Sequence, residues 1–391
     1  MFLVWMRVSA NSRKHRDSSR QPHKFRFVDF NRLAVRPGHG YFGGMNRRNL
    51  SFVLFLALIS GVRAAETAPK STPPAYKIVR RIQVGGKGGW DIPAIDADAH
   101  RLYVSRSNRV IVLDTETGLV IREIPDTPGV HGIAVVPDPA RAYITCGKID
   151  LVKVVDLKSG SVLATIPVGK NPDAIFYDRA SGLVVVFNHS GQSVSFIDSR
   201  ANRLIKTVEL GGEPEFGVSD GNGIIFVNLE DKSEVVAVDA KNFSVKARWP
   251  VAPGASPTGL AFDRKNHMLF AGCANRMVVA LDANSGKVVA TAPIGQGVDS
   301  TAFDESTGLV FNSTREGVLS IAREVSPTRL QPVESLPTRF GSRTLAFDPK
   351  SHEVYLPAAR FGTTPSPTAQ NPRPRPPVLP GSFEILVAGP K

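Results

Sequence analysis

An aspartate recurs about every forty-two residues along this chain, and that period constrains the fold more than any other feature. Asp114, Asp156, Asp198, Asp239 and Asp282 each close a β-branched run, at successive spacings of 42, 42, 41 and 43 residues. A period in the forties built from short β-branched runs specifies propeller blades and not helical solenoid units. Each unit divides into four strand-like runs, which in the first unit cover residues 91–95, 101–104, 110–113 and 119–124. Turn residues separate the runs. The last turn reads TETG at 115–118 and recurs as KSG at 158–160, RAN at 200–202 and NSG at 284–286. Gly or Asn stands where a tight hairpin requires positive φ. With no helical period beyond residue 64, the class is all-β.

Counting first strands gives seven units, beginning near Asp91, His131, Asp173, Glu215, Thr258, Asp299 and Arg343. Seven lies within the usual range for propellers. The seventh unit has three runs and then the chain stops. Residues 76–84 (YKIVRRIQV) match the fourth-strand pattern LVIREI at 119–124. The expected fold is therefore a seven-bladed β-propeller, blade seven closed by the N-terminal strand, which removes an open sheet edge.

The formal charge of +13 is concentrated at the front. Residues 1–64 carry 12 Lys and Arg against Asp17 and Asp29, leaving 36 basic and 33 acidic side chains, about +3, for the rest. A nucleic-acid partner loses its electrostatic support once the leader is set aside. Residues 45–64 read as a signal peptide: MNRR, an apolar stretch at 50–62 too short for a comfortable span, and VRA at 62–64 before the cleavage point. Arg47 and Arg48 also admit a twin-arginine reading, although Ser51 interrupts the usual apolar pair. Residues 1–44 resemble no functional segment, so translation is expected to begin at Met45. Residues 65–75 form a linker and 76–391 the propeller. The expected location is periplasmic or secreted, with no transmembrane span after cleavage and a monomeric state. Cys146 and Cys273 fall in repeats that are not ring neighbours, and two cysteines cannot build a disulfide scaffold.

The strings RLYVS at 101–105, RAYIT at 141–145 and IFVN at 225–228, each followed by a Val-x-Val-Asp-like strand, resemble the YVTN β-propeller repeat family of YncE-like periplasmic proteins. The Gly-x-x-Pro segments at 169–172 and 254–257 carry the same signature. The resemblance covers residues 76–391. The sixth unit departs from it, with SIAR at 320–323 where the aspartate should stand. The resemblance implies the propeller fold. Within the family it implies DNA binding for some members, and in the wider superfamily quinoprotein subunits or lactonases, none of which transfers from the repeat itself.

One insertion breaks the regularity. Residues 361–382 are rich in proline and cannot form a strand, because proline removes ladder donors. They are expected to run extended between the second and third strands of blade seven, as a spacer, a flap over a site or a docking segment.

Propeller topology places the start of every first strand at one tunnel mouth. The ring Asp91, His131, Asp173, Glu215, Thr258, Asp299 and Arg343 is thus the candidate ligand-binding site. Its carboxylates suit Ca²⁺ or Mg²⁺, and His131 beside Asp173, Glu215 and Asp299 admits a transition metal. Arg343 suits an anion. The same residues also fit a solvated, internally paired mouth, or catalysis by a carboxylate–histidine pair. Second-to-third loops add Arg106, Lys148, His189, Glu230, Asp231, Arg276, Arg315, Glu316 and the proline-rich segment on that face, His189 being expected as a solvated loop residue. Trp90 and Phe216 flank two ring carboxylates, either walling a pocket or packing in the core. The glycine-rich segment at 84–89 leads into a strand and lacks a helix dipole for phosphate. P-loop, Rossmann, HExxH, CxxCH and nucleophile-elbow motifs are absent. The functional expectation is a non-enzymatic binding or scaffold propeller for a protein or small-molecule ligand, with a divalent cation as the one cofactor the residues suggest. Alternatives are a lactonase-like metal hydrolase or quinoprotein-type accessory subunit, and DNA binding.

Overall fold

The computed structural model describes residues 75–368, 371–372 and 374–391. The expected leader, and the linker up to residue 74, lie outside them. The described chain forms seven four-stranded antiparallel sheets, each built from consecutive strands except the last. Blade one shows the pattern, with strands Ala94–Asp96, Arg101–Arg106, Arg109–Asp114 and Val120–Ile124. First strands of neighbouring blades touch around a central axis. Among the described residues there is no α-helix, and no helix long and apolar enough to cross a membrane.

Blade seven closes as expected. Tyr76–Gln83 pairs with Glu384–Pro390, Tyr76 opposite Pro390 and Gln83 opposite Glu384. The closing strand is well anchored. Tyr76 is 1% exposed, its hydroxyl donates to the His352 carbonyl at 3.0 Å, and its ring meets Phe311 edge-on at 5.1 Å.

The core is divided among the blade interfaces. Seven apolar clusters form, one between each adjacent pair of blades. Middle strands are sandwiched on both faces, so Met268–Cys273 is buried throughout. Outer strands meet solvent on one face, so Ser244–Pro250 alternates between half-buried and exposed. The periodicity of two appears where one face is wet and vanishes where neither is. Cys146 and Cys273 are buried and unpaired.

The repeating aspartates have a local physical cause. Asp156 Oδ1 accepts the backbone N–H of Lys158 at 2.9 Å and of Ser159 at 2.7 Å. Asp114, Asp198, Asp239 and Asp282 grip the two equivalent N–H groups of their own turns. A short side chain that accepts from the turn it opens stabilises the hairpin. Blade six explains its own departure from the repeat. Its last hairpin is extended, with strands Val318–Ser326 and Arg329–Pro337, so the turn lies beyond the position an aspartate would cap.

Candidate functional site

The ring positions owe their place to a recurring defect in the ladder. In blades two to six, His131, Asp173, Glu215, Thr258 and Asp299 are each the second residue of the first strand. In each of these blades the pairing register shifts just after the first residue of that strand. A bulge bends the strand and re-aims a side chain. In blades one and seven the paired strand is shorter, and Asp91 and Arg343 stand before it.

The bulge leaves backbone groups without ladder partners, and buried polar side chains of second strands take them up. Thr145 donates to the Asp173 carbonyl at 2.9 Å, Asn228 to the Thr258 carbonyl at 2.9 Å, and Ser313 to the Arg343 carbonyl at 2.5 Å. Ser105 accepts the Asp91 N–H at 2.9 Å. These polar residues stand next to last in the tyrosine- or phenylalanine-bearing second strands. Their repetition in the sequence is the repetition of this grip.

Side chains then join into an arc. Asp299 Oδ2 lies 2.7 Å from Arg343 Nε, and Arg343 Nη2 reaches Asp91 Oδ1 at 3.3 Å. Asp91 Oδ2 is 2.7 Å from His131 Nδ1, which lies 3.7 Å from Asp173 Oδ1. His189 Nδ1 is 3.1 Å from Glu215 Oε1, an ion-pair approach that falls outside hydrogen-bond alignment. Glu230 joins the group through the charge of Glu215, which helps raise the Glu230 pKa. Thr258 does not join. It is buried, and its hydroxyl donates to the Val298 carbonyl at 2.9 Å. Phe216 packs against the core between blades four and five, and Trp90 both packs on the blade seven–one core and lines a cavity.

Charge is unbalanced along this arc. Asp91, Asp173, Glu215, Glu230 and Asp299 supply five carboxylates, against Arg343 and the two imidazoles of His131 and His189. Burial pushes the Asp173 carboxyl up to about 7, with His131 opposing and Asp91 and Glu215 adding to the rise. Burial and then Glu215 push Glu230 up to about 7 as well. Burial holds Asp299 well above the usual carboxylate range, although Arg343 pulls the other way. The Glu215 carboxylate pushes His189 up to about 9. For His131, burial works against the charged form, but the Asp91 hydrogen bond and the carboxylates around it outweigh burial and raise the pKa. Crowded like charges that cannot all ionise retain protons.

A divalent cation would relieve the same imbalance. One ligand atom each from Asp91, His131 and Asp173 lies within 4.8 Å of the others, and the same holds for Asp173, His189 and Glu215. Asp173 belongs to both groups. Mixed imidazole and carboxylate donors fit a first-row transition metal better than Ca²⁺. Asp299, expected among the metal ligands, is instead taken by Arg343. His189 and Glu230 are the site residues whose roles the sequence did not reveal. Both lie just past the end of a second strand, and the polar pair Asn188–His189 ending an apolar run was the one available signal.

No family model matches the chain. Over 147 residues it is 26% identical to the uncharacterised protein YncE of Salmonella typhimurium, a match covering 36% of this chain and 41% of that relative. The match to YncE of Salmonella typhi has the same extent. The alignment thus spans about two fifths of the length of these curated relatives. Among solved structures, the WD40 repeats of RRP9 give a TM-score of 0.67 at 12% identity, covering 80% of this chain and 98% of that one. A chain of hydrazine synthase from Kuenenia stuttgartiensis gives 0.62 at 16%, covering 70% and 94%. A chain of a mitotic checkpoint complex gives 0.63 at 17%, covering 80% and 96%. Identities this low show the fold alone. Taken with the seven sheets, the protein is a seven-bladed β-propeller with partial sequence similarity to YncE.

Proposed function

We propose that this propeller is an exported, non-enzymatic binding protein whose site is the charged tunnel mouth, and that a divalent cation held around Asp173 is part of that site. The observation that carries the reading is the arc itself: five carboxylates, two imidazoles and one guanidinium, with Asp173 placed in both metal-type groups. Export rests on the signal-like segment at 45–64 and on the resemblance to periplasmic propellers. The excess of carboxylates at the mouth would repel phosphate, which argues against a nucleic-acid partner on this face.

Calorimetry on chelator-stripped protein tests the reading. Titration with Mn²⁺ and then Zn²⁺ should show saturable binding with proton release, because carboxyl and imidazolium protons must leave. Asp173→Asn should weaken it by about tenfold or more. Absence of saturable binding at millimolar metal, or an unchanged affinity in Asp173→Asn, would sink the cation assignment.

A second reading, a metal-dependent hydrolase, draws on the His131–Asp91 contact of 2.7 Å, since a carboxylate-oriented imidazole can serve as a general base. Metal-dependent lactone hydrolysis that is lost in His131→Gln would favour it over simple binding.

A further inference from the structure

A cavity of about 210 Å³ opens beside the arc and shares only Arg343 with its charge pairing. Trp90, Phe340 and Phe361 supply its apolar wall, and Arg315, Arg343 and Arg375 its charge. The fourth-to-first connections bring in Trp90 and Phe340, and second-to-third loops bring in Arg315, Phe361 and Arg375. Topology therefore gathers all of them on the mouth face.

The aromatic wall is built, not incidental. Phe361 meets Phe340 edge-on at 5.6 Å and Trp90 at 6.0 Å. A Cβ on Gly341 would come within 2.8 Å of the Phe361 ring, so the ring lies directly on a glycine. The base of the proline-rich segment is zipped shut beneath it: Gly362 N–H donates to the Pro377 carbonyl and Leu379 N–H to the Arg360 carbonyl, both at 2.8 Å. Even so, Phe340 remains 50% exposed, although its ring packs on that of Phe361.

The arginines differ in what they already do. Arg343 is occupied by Asp299 and Asp91. The guanidinium groups of Arg315 and Arg375 have no carboxylate or hydrogen-bond partner among the described residues. Two free planar cations beside an exposed ring match a ligand that is itself flat, apolar and anionic. The volume sets the size. It falls below the roughly 300–1,000 Å³ of sites for drug-sized molecules, which limits the ligand to about one ring.

We infer that this cavity binds a small aromatic carboxylate, with the ring against Phe340 and Phe361 and the carboxylate on Arg315 and Arg375. The inference is independent of the cation. Its test is run in excess chelator, so that failure here and failure of the cation reading are separately visible.

Calorimetry of the full chain with benzoate, benzamide and acetate provides that test. Benzoate should bind saturably, while benzamide, lacking charge, and acetate, lacking a ring, should bind at least about tenfold more weakly. Arg315→Ala and Arg375→Ala, both in surface loops, should each weaken benzoate on the order of tenfold with the melting temperature unchanged. Phe340→Ala should do likewise. The inference is overturned if benzamide binds as well as benzoate, if both arginine variants retain full affinity, or if benzoate gives no saturable heat at millimolar concentration.

Discussion

The Arg106 guanidinium lies 3.6 Å above the ring of Phe383. Both side chains are fully buried. Arg106 Nη2 donates to the carbonyls of Gly85 at 3.3 Å and Lys87 at 3.1 Å, whereas Nε and Nη1 have no hydrogen-bond partner. Burial pulls its pKa down to about 10. The face of Phe383 stands where water would otherwise be, and a desolvated cation–π contact of this kind is worth about 2 kcal/mol. In a double-mutant cycle of Arg106→Met and Phe383→Leu, denaturant unfolding should return an interaction energy of about 1–2 kcal/mol. Simple additivity of the two changes would show that the contact adds nothing.

Stability should fall as pH rises. Asp173 moves from an ordinary carboxylate value to about 7 on folding. Its contribution is present in full below the unfolded value of about 4 and is lost as pH climbs through about 7. His189 moves to about 9, so its contribution is full below about 6.5 and is lost through about 9. The two effects have the same sign. Melting temperature in chelator should decline from about pH 5 to about pH 9, and Glu215→Gln should flatten the upper half of that decline. A melting temperature that climbs over this range would contradict the charge arrangement at the mouth.

The turn aspartates offer a local test. Asp282 Oδ1 accepts from the N–H groups of Asn284 at 2.9 Å and Ser285 at 2.8 Å. By analogy with helix caps, Asp282→Ala should cost about 1 kcal/mol, while Asp282→Asn retains the acceptor and most of the stability. Equal losses in the two variants would assign the effect to charge and not to the hydrogen bonds.

The closing strand makes a larger claim. Tyr76→Ala should destabilise the protein by about 3–5 kcal/mol, the usual cost of emptying a buried aromatic site. Removing residues 75–83 should expose the edge of Glu384–Pro390 and promote association, measurable by light scattering. A truncated protein that stays monomeric with an unchanged melting temperature would show that the ring does not need this strand.

The fold was legible because it is written seven times. Strand positions, the blade count and the closure at 76–83 all follow from a period that survives differences in single residues. The ring residues were legible for the same reason, since register places Asp173 and Asp299 at equivalent heights in their blades. His189 and Glu230 were placed on the mouth face by their loops, but their pairing with Glu215 was not legible, because loops carry no period and these contacts depend on the neighbouring blade. The fate of Thr258 was also hidden. Only geometry reveals that its hydroxyl turns to the Val298 carbonyl. The aromatic cavity was hidden in the same way, because Phe340 and Phe361 lie about twenty residues apart on segments that look structureless in the sequence.

The bulge at the mouth has a consequence for how this protein can change. Thr145, Asn228 and Ser313 hold ring residues by their carbonyl oxygens, and a carbonyl is the same on every amino acid. The grip is therefore blind to the side chain it presents. Substitution at a ring position alters what the mouth recognises without disturbing the device that displays it. The propeller behaves as a socket with interchangeable contacts, in which selectivity can drift while the frame stays intact.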